Sequence, residues 1–256
     1  MMTDVRIESF LAGHSIPQAG PYGLISRTRK ALRVLAVLED ALGDLSGLNL
    51  LDIGCSRGIM TWAYARKVGQ AAGVDVEPEL IEFAREHNAS PNLKYLLAQG
   101  DTYDLPSESF DIITCTQVYE HANDAEVMMS EIYRLLKPGG VCCFSAANRL
   151  KWADPHYGGK LPLLTVIPKP LGHLYLRVLG RSRYYHETHR TLWGLKKLTR
   201  RFEMVDYTRR AAGQPEKFFT EDSIPPGSTK QRLALALIDY AYWLCPSYLW
   251  ILKKAG

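Results

Sequence analysis

The sequence has few cysteines, and none of them has the spacing of a metal site. The five cysteines are Cys55, Cys115, Cys142, Cys143 and Cys245. Most of them lie within apolar runs that are typical of strands. A free cysteine in such a run behaves as a small apolar side chain. We therefore expect no metal centre, and a reduced, cytoplasmic setting for the protein.

Internal repeats and low-complexity segments are also absent, which excludes a solenoid or a repeat array. The first 13 residues mix Asp4, Arg6 and Glu8 with apolar residues, so we expect no signal peptide. With 46% apolar and 23% charged residues, the chain is not mostly disordered. Its 256 residues fit one α/β domain with insertions.

Only one stretch approaches the length of a membrane span. Residues 233–252 contain a single charge, Asp239, but Pro246 divides them. We predict a helix that ends at Cys245 and a strand over 247–254, packed in the core. A helix lying on a membrane is the main alternative, and a true span is the other.

Charge is unevenly distributed along the chain. Residues 149–210 contain 14 Lys and Arg but only 4 Asp and Glu. The rest of the chain contains 17 Lys and Arg and 23 Asp and Glu. A basic, aromatic and proline-rich segment suits an anionic or amphipathic substrate, or an acidic membrane surface. The alternative is a solvated helical face. Nucleic acid is not expected, because the basic residues are spread among apolar ones without a known binding module.

Strand-like and helix-like patterns alternate through the first 150 residues. Helices are predicted for residues 24–42, 59–68, 78–87, 124–136 and 190–202, and Thr191 is the expected N-cap of the last one. Strands are predicted for residues 49–54, 71–76, 92–100, 110–118, 141–146, 203–210 and 247–254, with a polar loop over 211–228. This alternation is typical of right-handed βαβ units and a parallel, doubly wound sheet.

The segment LLDIGCSRGIM at 50–60 is a strand that enters a glycine-containing turn and then a helix. A nicotinamide-binding fingerprint requires G-x-G-x-x-G. Here Ser56 and Ile59 occupy the third and sixth positions, and the glycines are Gly54 and Gly58. The pattern D-x-G-x-x-x-G therefore disfavours a dinucleotide.

This pattern resembles the first motif of the class I S-adenosylmethionine-dependent methyltransferases. The likeness continues in order through GVD, QGDTYDLP, SFDIITC and VYEHANDAEVMMSEIYRLLKPGGVCCFSAAN. It covers about residues 45–148, with weaker likeness in 190–253. The resemblance implies a Rossmann-like sheet of seven strands, five parallel and then an antiparallel C-terminal hairpin, with helices on both faces. It also implies S-adenosylmethionine as the cofactor.

The resemblance, together with the proline-rich and aromatic composition of residues 149–190, divides the chain, a single methyltransferase domain over 1–256, into four parts. These are an N-terminal arm and helix (1–44), a cofactor-binding core (45–148), an inserted substrate cap (149–190), and C-terminal helices and strands (191–256). Below, "the cap" means residues 149–190.

Candidate cofactor-binding residues follow from the motifs. The resemblance implies that Asp75 binds the ribose hydroxyls and Asp101 the adenine amino group; the alternatives are a helix cap for Asp75 and a turn for Asp101. The carboxylate of Asp52 can attract the ammonium of the cofactor. The full predicted set is Asp52, Gly54, Cys55, Ser56, Gly58, Asp75, Val76, Asp101, Thr102 and Gln117.

Catalytic candidates follow the fourth strand and lie in the cap. Glu120 and His121 come after the strand end that faces the reacting methyl group in this family, and His156 stands near Asp154 in the cap. The alternatives are a packed histidine at 121 and a polar loop around 156. Candidate substrate-binding residues are Tyr22, Tyr119, Asn148, Tyr157 and Arg181.

The sequence therefore predicts methyl transfer from S-adenosylmethionine to an oxygen of a small or lipid-linked, anionic or sugar-containing metabolite. Carbon methylation of a quinone or isoprenoid precursor is the first alternative, and a non-catalytic partner subunit with the same fold is the second. A nicotinamide dehydrogenase is disfavoured by the glycine spacing. Peripheral membrane contact through the cap or the C-terminal helix is a further expectation.

Overall fold

The computed structural model describes residues 5–12, 14, 23–154, 157 and 161–256. Its helices are α1 Val5–Phe10, α2 Leu24–Leu42, α3 Ile59–Ala65, α4 Pro78–His87, α5 Ala125–Leu135, α6 Lys169–Val178, α7 Leu192–Leu198, α8 Thr208–Gly213 and α9 Thr229–Ala241. Its strands are β1 Asn49–Ile53, β2 Gln70–Asp75, β3 Leu93–Leu97, β4 Phe110–Thr116, β5 Leu136–Ala147, β6 Ala153–Asp154, β7 Leu161–Pro162, β8 Glu203–Asp206 and β9 Ser247–Lys253.

Seven strands form one sheet in the order β3-β2-β1-β4-β5-β9-β8. Strands β1 to β5 are parallel, and β9 pairs antiparallel with both β5 and β8. The predicted sheet of five parallel strands followed by an antiparallel C-terminal hairpin is confirmed. Short apolar runs predicted these strands because a parallel strand covered on both faces carries apolar side chains in both directions.

Helices cover both faces of the sheet, each through an apolar cluster. One cluster joins the sheet to α5 and α7, and the other joins it to α1, α2, α3 and α8. Individual helix starts also match the sequence signals. Pro78 stands in the first turn of α4, and the Thr191 hydroxyl accepts the Gly194 N–H to cap α7.

The C-terminal segment is a helix and a strand, as predicted, but only the strand packs in the core as expected, because α9 has no buried residue. Helix α9 leads through a short 3-10 turn, Tyr242–Leu244, to Cys245, and β9 starts after Pro246. Trp250 and Leu252 in β9 are fully buried. Within the described ranges, no helix is long and apolar enough to cross a membrane.

The segment after β8 differs from its prediction. The strand expected over 203–210 stops at Asp206, and Thr208 begins α8. The polar loop expected over 211–228 contains Phe218, which is buried with Ala211 in the core. One buried aromatic among many polar residues gives no periodicity, so composition alone could not reveal this packing.

The cap contains the short β6–β7 hairpin and helix α6, with a small apolar cluster of its own. Its two ends meet beside the carboxyl end of β5, where Asn148 and Arg190 form a parallel bridge. The Arg149 N–H donates to the Arg190 carbonyl over 2.9 Å. The cap therefore leaves and rejoins the sheet at the carboxyl edge of the parallel strands.

Candidate functional site

The strand order reverses between β1 and β4. Strands β2 and β3 lie on one side of β1, and β5 lies beyond β4 on the other side. In open parallel sheets, ligands bind in the crevice outside the carboxyl ends of the strands at such a reversal. The glycine loop, residues 54–58, starts at this point.

Three residues of the glycine loop have left-handed backbone conformations: Gly54 (φ 70°), Ser56 (φ 51°) and Gly58 (φ 76°). A Cβ on Gly54 would lie 2.6 Å from a methyl of Val118. A Cβ on Gly58 would lie 2.5 Å from the Tyr95 hydroxyl. The two glycines are therefore required both by the turn and by the close packing of the loop against β3 and the end of β4.

Asp75 holds the glycine loop against the end of β2. Its Oδ2 accepts the Ser56 N–H over 2.7 Å, and its Oδ1 accepts the Glu77 N–H over 3.1 Å. The carboxylate is only partly buried, so it remains accessible from outside. Its bond to the Glu77 N–H is not the helix cap given as the alternative, because the N-cap of α4 is Glu77 and no side chain caps that helix. Each carboxylate oxygen can still accept a second hydrogen bond from a ligand.

Cys55 lies in the loop, but its side chain points into the protein. It packs with Ile81, Ala84 and Tyr95 between α4 and the sheet. Burial raises the pKa of the thiol far above its ordinary value. Only the backbone of Cys55 therefore remains available for the cofactor contact that the sequence predicted.

Asp52 is buried beneath the loop, with 3% of its surface exposed. The Thr114 hydroxyl donates to Oδ1 over 2.6 Å, and the Thr61 hydroxyl donates to Oδ2 over 2.7 Å. Burial raises the pKa of Asp52 to about 6, although the two hydroxyl hydrogen bonds oppose this change. The predicted attraction of a ligand ammonium would act from below the loop.

The other predicted cofactor residues lie around the same edge. Val76 and Thr102 are exposed, and Gln117, with φ 58°, donates from Nε2 to the Ser145 hydroxyl over 3.2 Å. Asp101 accepts the Asp124 N–H over 2.7 Å, just before α5. Asp101 thus joins two segments that are distant in the chain, which is not the local turn given as its alternative, and it remains partly exposed.

A pocket of about 350 Å³ adjoins the glycine loop. Its lining includes residues that the sequence analysis did not select: Arg27, Arg57, Ile59, Met60 and Leu80. Arg27 comes from α2, far from the motif along the chain, so only the fold brings it to the loop. Arg27 and Arg57 are cationic and would suit a ligand carboxylate at this end of the loop. The guanidinium of Arg57 lies over the Phe83 ring, 5.0 Å from its centre.

The two adjacent catalytic candidates occupy different environments. Glu120 is 1% exposed, whereas His121 is exposed at the carboxyl end of β4. The Glu120 carbonyl accepts the Thr188 N–H over 2.8 Å, so this turn also anchors the end of the cap. Of the pair, His121 has the solvent access that a proton acceptor requires.

Two predicted substrate-binding residues are in the interior instead. The Tyr119 hydroxyl donates to the Ala147 carbonyl over 2.6 Å and accepts the Arg190 N–H over 3.0 Å. Asn148 is fully buried, and its Nδ2 donates to the carbonyl oxygens of Trp243 and Cys245. In the structure both residues join chain segments at the carboxyl edge, a role that the sequence did not indicate.

We expect Tyr119→Phe to lower the free energy of unfolding by about 1–3 kcal/mol, because the Arg190 N–H and the Ala147 carbonyl would lose their partner. Chemical denaturation measures this. Tyr240→Phe is the matched control, since Tyr240 is 90% exposed on α9 and should not change stability. Equal losses in the two variants would contradict the role assigned to Tyr119.

The cap holds the remaining candidates. The Tyr157 hydroxyl donates to Glu187 Oε2 over 2.6 Å, and Arg181 is exposed. Tyr22 and His156 lie outside the described residues. The candidates of the cap are therefore only partly located.

A buried polar chain lies beside Tyr157 in the cap, and the sequence analysis did not select it. Lys151 Nζ lies 3.0 Å from His189 Nε2, and His189 Nδ1 lies 2.9 Å from the Tyr185 hydroxyl. Because an ammonium only donates, Nε2 accepts, and Nδ1–H donates to Tyr185. These bonds fix the imidazole and join both ends of the cap.

Comparison with known sequences identifies a family over the core of the chain. Residues 51–144 match the family described as "Methyltransferase domain". The chain is 36% identical over 109 residues to the ubiquinone biosynthesis O-methyltransferase of Xanthomonas oryzae pv. oryzae. The aligned region covers 41% of this chain and 46% of that protein. The chain thus spans about half the length of the curated relatives it matches.

Solved structures show the same fold over nearly the whole chain. A methyltransferase from Haloferax volcanii, in complex with the activator Trm112, has a TM-score of 0.56 at 16% identity and covers 99% of this chain and 95% of that one. An S-adenosylmethionine-dependent methyltransferase from Mesorhizobium loti has a TM-score of 0.55 at 17% identity, with 87% and 98% covered. At these identities the likeness establishes the fold.

Proposed function

We propose that the chain is a class I S-adenosylmethionine-dependent methyltransferase and that it transfers a methyl group from this cofactor to an oxygen of a small or lipid-linked molecule. The observation that carries the proposal is the glycine loop held by Asp75 at the reversal of the sheet, with Arg27 and Arg57 beside it. This set of groups fits the cofactor.

Each part of the cofactor has a chemically suitable partner at this edge. The adjacent hydroxyls of a ribose suit the carboxylate of Asp75, which ends β2. The carboxylate of the methionine part suits the guanidinium of Arg27 or Arg57. Asp101 and Val76, at the ends of neighbouring segments, suit the adenine. The buried charge of Asp52 favours the ammonium.

We expect Asp75→Asn to weaken the affinity for S-adenosylhomocysteine about tenfold or more, since a charged acceptor for the ribose hydroxyls is removed. Titration calorimetry measures this. Asp44→Asn is the matched control, because Asp44 also accepts a backbone N–H, from Ser46 over 3.0 Å, but lies before the opposite end of β1. Unchanged affinity in Asp75→Asn would overturn the ribose assignment.

When bound, S-adenosylmethionine supplies a methyl group on a sulfonium. Transfer would form a bond between the acceptor oxygen and this carbon as the carbon–sulfur bond breaks, and the electron pair of that bond would remain on sulfur. The hydroxyl proton of the acceptor must pass to a base. The protein contributes mainly by aligning the acceptor and excluding water.

His121 is the proposed base, because it is exposed at the carboxyl end of β4 next to the turn that anchors the cap. We expect His121→Asn to lower kcat about 10²–10⁴-fold. The affinity for S-adenosylhomocysteine should stay within about twofold of the native value, since no cofactor contact is removed. A kcat close to that of the native protein would exclude His121 as the base.

The acceptor is proposed to be an oxygen of a metabolite with an apolar part. Two observations support this: the cap is rich in both basic and apolar residues, and the matched relatives are named ubiquinone biosynthesis O-methyltransferases. The cap joins the sheet beside Ala147 and Arg190, at the same edge as the glycine loop. An acceptor held by the cap would therefore reach this edge.

The test uses S-adenosylmethionine labelled in the methyl group, with a prenylated catechol and the same catechol without its chain. We expect label in the prenylated product, released by ether cleavage with hydriodic acid. Label that resists cleavage would instead indicate carbon methylation. Binding of S-adenosylhomocysteine without transfer to either catechol or to a cell lipid extract would favour the non-catalytic partner subunit.

A further inference from the structure

Helix α6 of the cap carries apolar side chains on both of its sides. Gly172 and Leu176 are buried against the rest of the cap, including Tyr185. Leu171, Leu174 and Val178 are 54%, 52% and 76% exposed. Their spacing of three and four residues places them on one face of the helix. This face is apolar and outward, unlike that of an ordinary surface helix.

The chain after α6 adds two further exposed apolar side chains beside the helix. Leu179 directly follows the helix, and Tyr184 lies with its ring against that of His173, at 5.6 Å between ring centres. The Tyr185 N–H donates to His173 Nδ1 over 2.9 Å, which holds this segment to the helix. Leu179 and Tyr184 are both about half exposed. Below, "the docking face" means Leu171, Leu174, Val178, Leu179 and Tyr184.

The charged residues of the segment that carries the docking face are all of one sign. Residues 155–186 contain no Asp or Glu in the sequence, but they include Lys169, Arg177, Arg181 and Arg183. Lys169 lies in the first turn of α6 and Arg177 in its last turn. The two other arginines lie between Leu179 and Tyr184 in the chain. Arg177 precedes Val178, and the Arg183 guanidinium lies 5.6 Å from the centre of the Tyr184 ring, so cations adjoin the apolar side chains. Lys169 instead donates to the Thr188 hydroxyl.

We propose that the docking face binds the surface of an anionic phospholipid bilayer. An apolar helix face with neighbouring Lys and Arg, lying flat in the interface, is the pattern of a peripheral membrane contact. The aliphatic side chains enter the acyl boundary, the cations meet the lipid phosphates, and the amphipathic ring of Tyr184 suits the headgroup level. The positive charge favours this occupant over a neutral apolar partner.

The attachment of the cap to the sheet determines which edge of the protein would face the lipid. Because both ends of the cap join the sheet at the carboxyl edge, binding through α6 would hold that edge near the lipid. The proposal concerns binding only, and its test needs no methyl acceptor. It therefore succeeds or fails independently of the proposed reaction.

The test is flotation of the full chain with vesicles of phosphatidylcholine alone, or with about one quarter phosphatidylglycerol. We expect binding to the anionic vesicles only, lost in about 0.5 M salt because exposed charges are screened. The double variant Leu174→Glu/Val178→Glu should reduce binding at least about tenfold, since two acidic groups would enter the interface. Arg181→Glu/Arg183→Glu should do the same.

The matched control is Leu233→Glu, a comparably exposed leucine (66%) on α9. This variant should bind like the native chain. All variants are exposed substitutions, and thermal melting confirms that each one folds. The proposal would be overturned if the native chain did not float with the anionic vesicles. It would also be overturned if Leu233→Glu were the only variant that abolished this binding. So would self-association of the native chain that the α6 double variant abolishes without vesicles, because a second copy would then cover the docking face.

Discussion

Gly58→Ala is expected to lower the free energy of unfolding by about 2–5 kcal/mol and to abolish most cofactor binding. Gly58 has φ 76°, and an added methyl group would lie 2.5 Å from the Tyr95 hydroxyl and 2.8 Å from Cβ of Ala84. Tyr95 is buried and its hydroxyl lies 3.0 Å from the Gly58 carbonyl, so it cannot move without breaking a contact of the loop. A loss of this size is a large share of the 5–15 kcal/mol that stabilises a typical domain.

Gly100→Ala separates the two causes of this loss. Gly100 also has a left-handed backbone, with φ 96°, but no described atom lies within 4 Å of an added Cβ. Only the backbone cost of about 1–2 kcal/mol is expected there. Urea denaturation of both variants and calorimetric titration with S-adenosylhomocysteine provide the comparison. Equal destabilisation would show that the packing against Tyr95 contributes nothing.

Asp52→Asn is expected to stabilise the fold at neutral pH while weakening cofactor binding. In the folded protein the pKa of Asp52 is raised to about 6 from 3.8, chiefly by burial. The folded state therefore binds the proton more tightly than the unfolded state, and stability falls as the pH rises from about 4 to about 6. Above that range the ionised group costs on the order of 3 kcal/mol. A neutral amide avoids this cost.

The hydrogen bonds around Asp52 tolerate the change. The hydroxyls of Thr61 and Thr114 donate to the carboxylate, and either one can turn to accept from an amide instead. We expect the stability difference between Asp52→Asn and the native chain to grow from about pH 4 to about pH 7, by thermal or chemical denaturation. A difference independent of pH would contradict a raised pKa. Tighter cofactor binding would contradict the attraction of the ammonium.

The sequence was sufficient where the pattern is local. Apolar runs gave the parallel strands, and the spacing of Gly54 and Gly58 gave the turn that the structure has. Pro246 correctly separated a helix from a strand, because proline cannot continue a helix and often follows its end. These signals involve neighbours along the chain and do not depend on distant contacts.

The sequence was insufficient where distant segments meet. Arg27 reaches the glycine loop from α2, and nothing within that helix indicates this. Tyr119 and Asn148 were predicted to bind substrate because they follow strands, yet the structure uses their polar groups to join chain segments. A polar residue at a strand end serves either purpose, and only the positions of its partners decide between them.

The position of β9 has a consequence for the order of folding. This strand lies between β5 and β8, although about a hundred residues separate it from β5 in the chain. Until residues 247–253 have left the ribosome, β8 has no strand beside it and the edge of β5 stays open. Such non-local pairing is slow, and an open strand edge can pair with another chain. We therefore expect nascent chains that stop before β9 to aggregate and to require a chaperone.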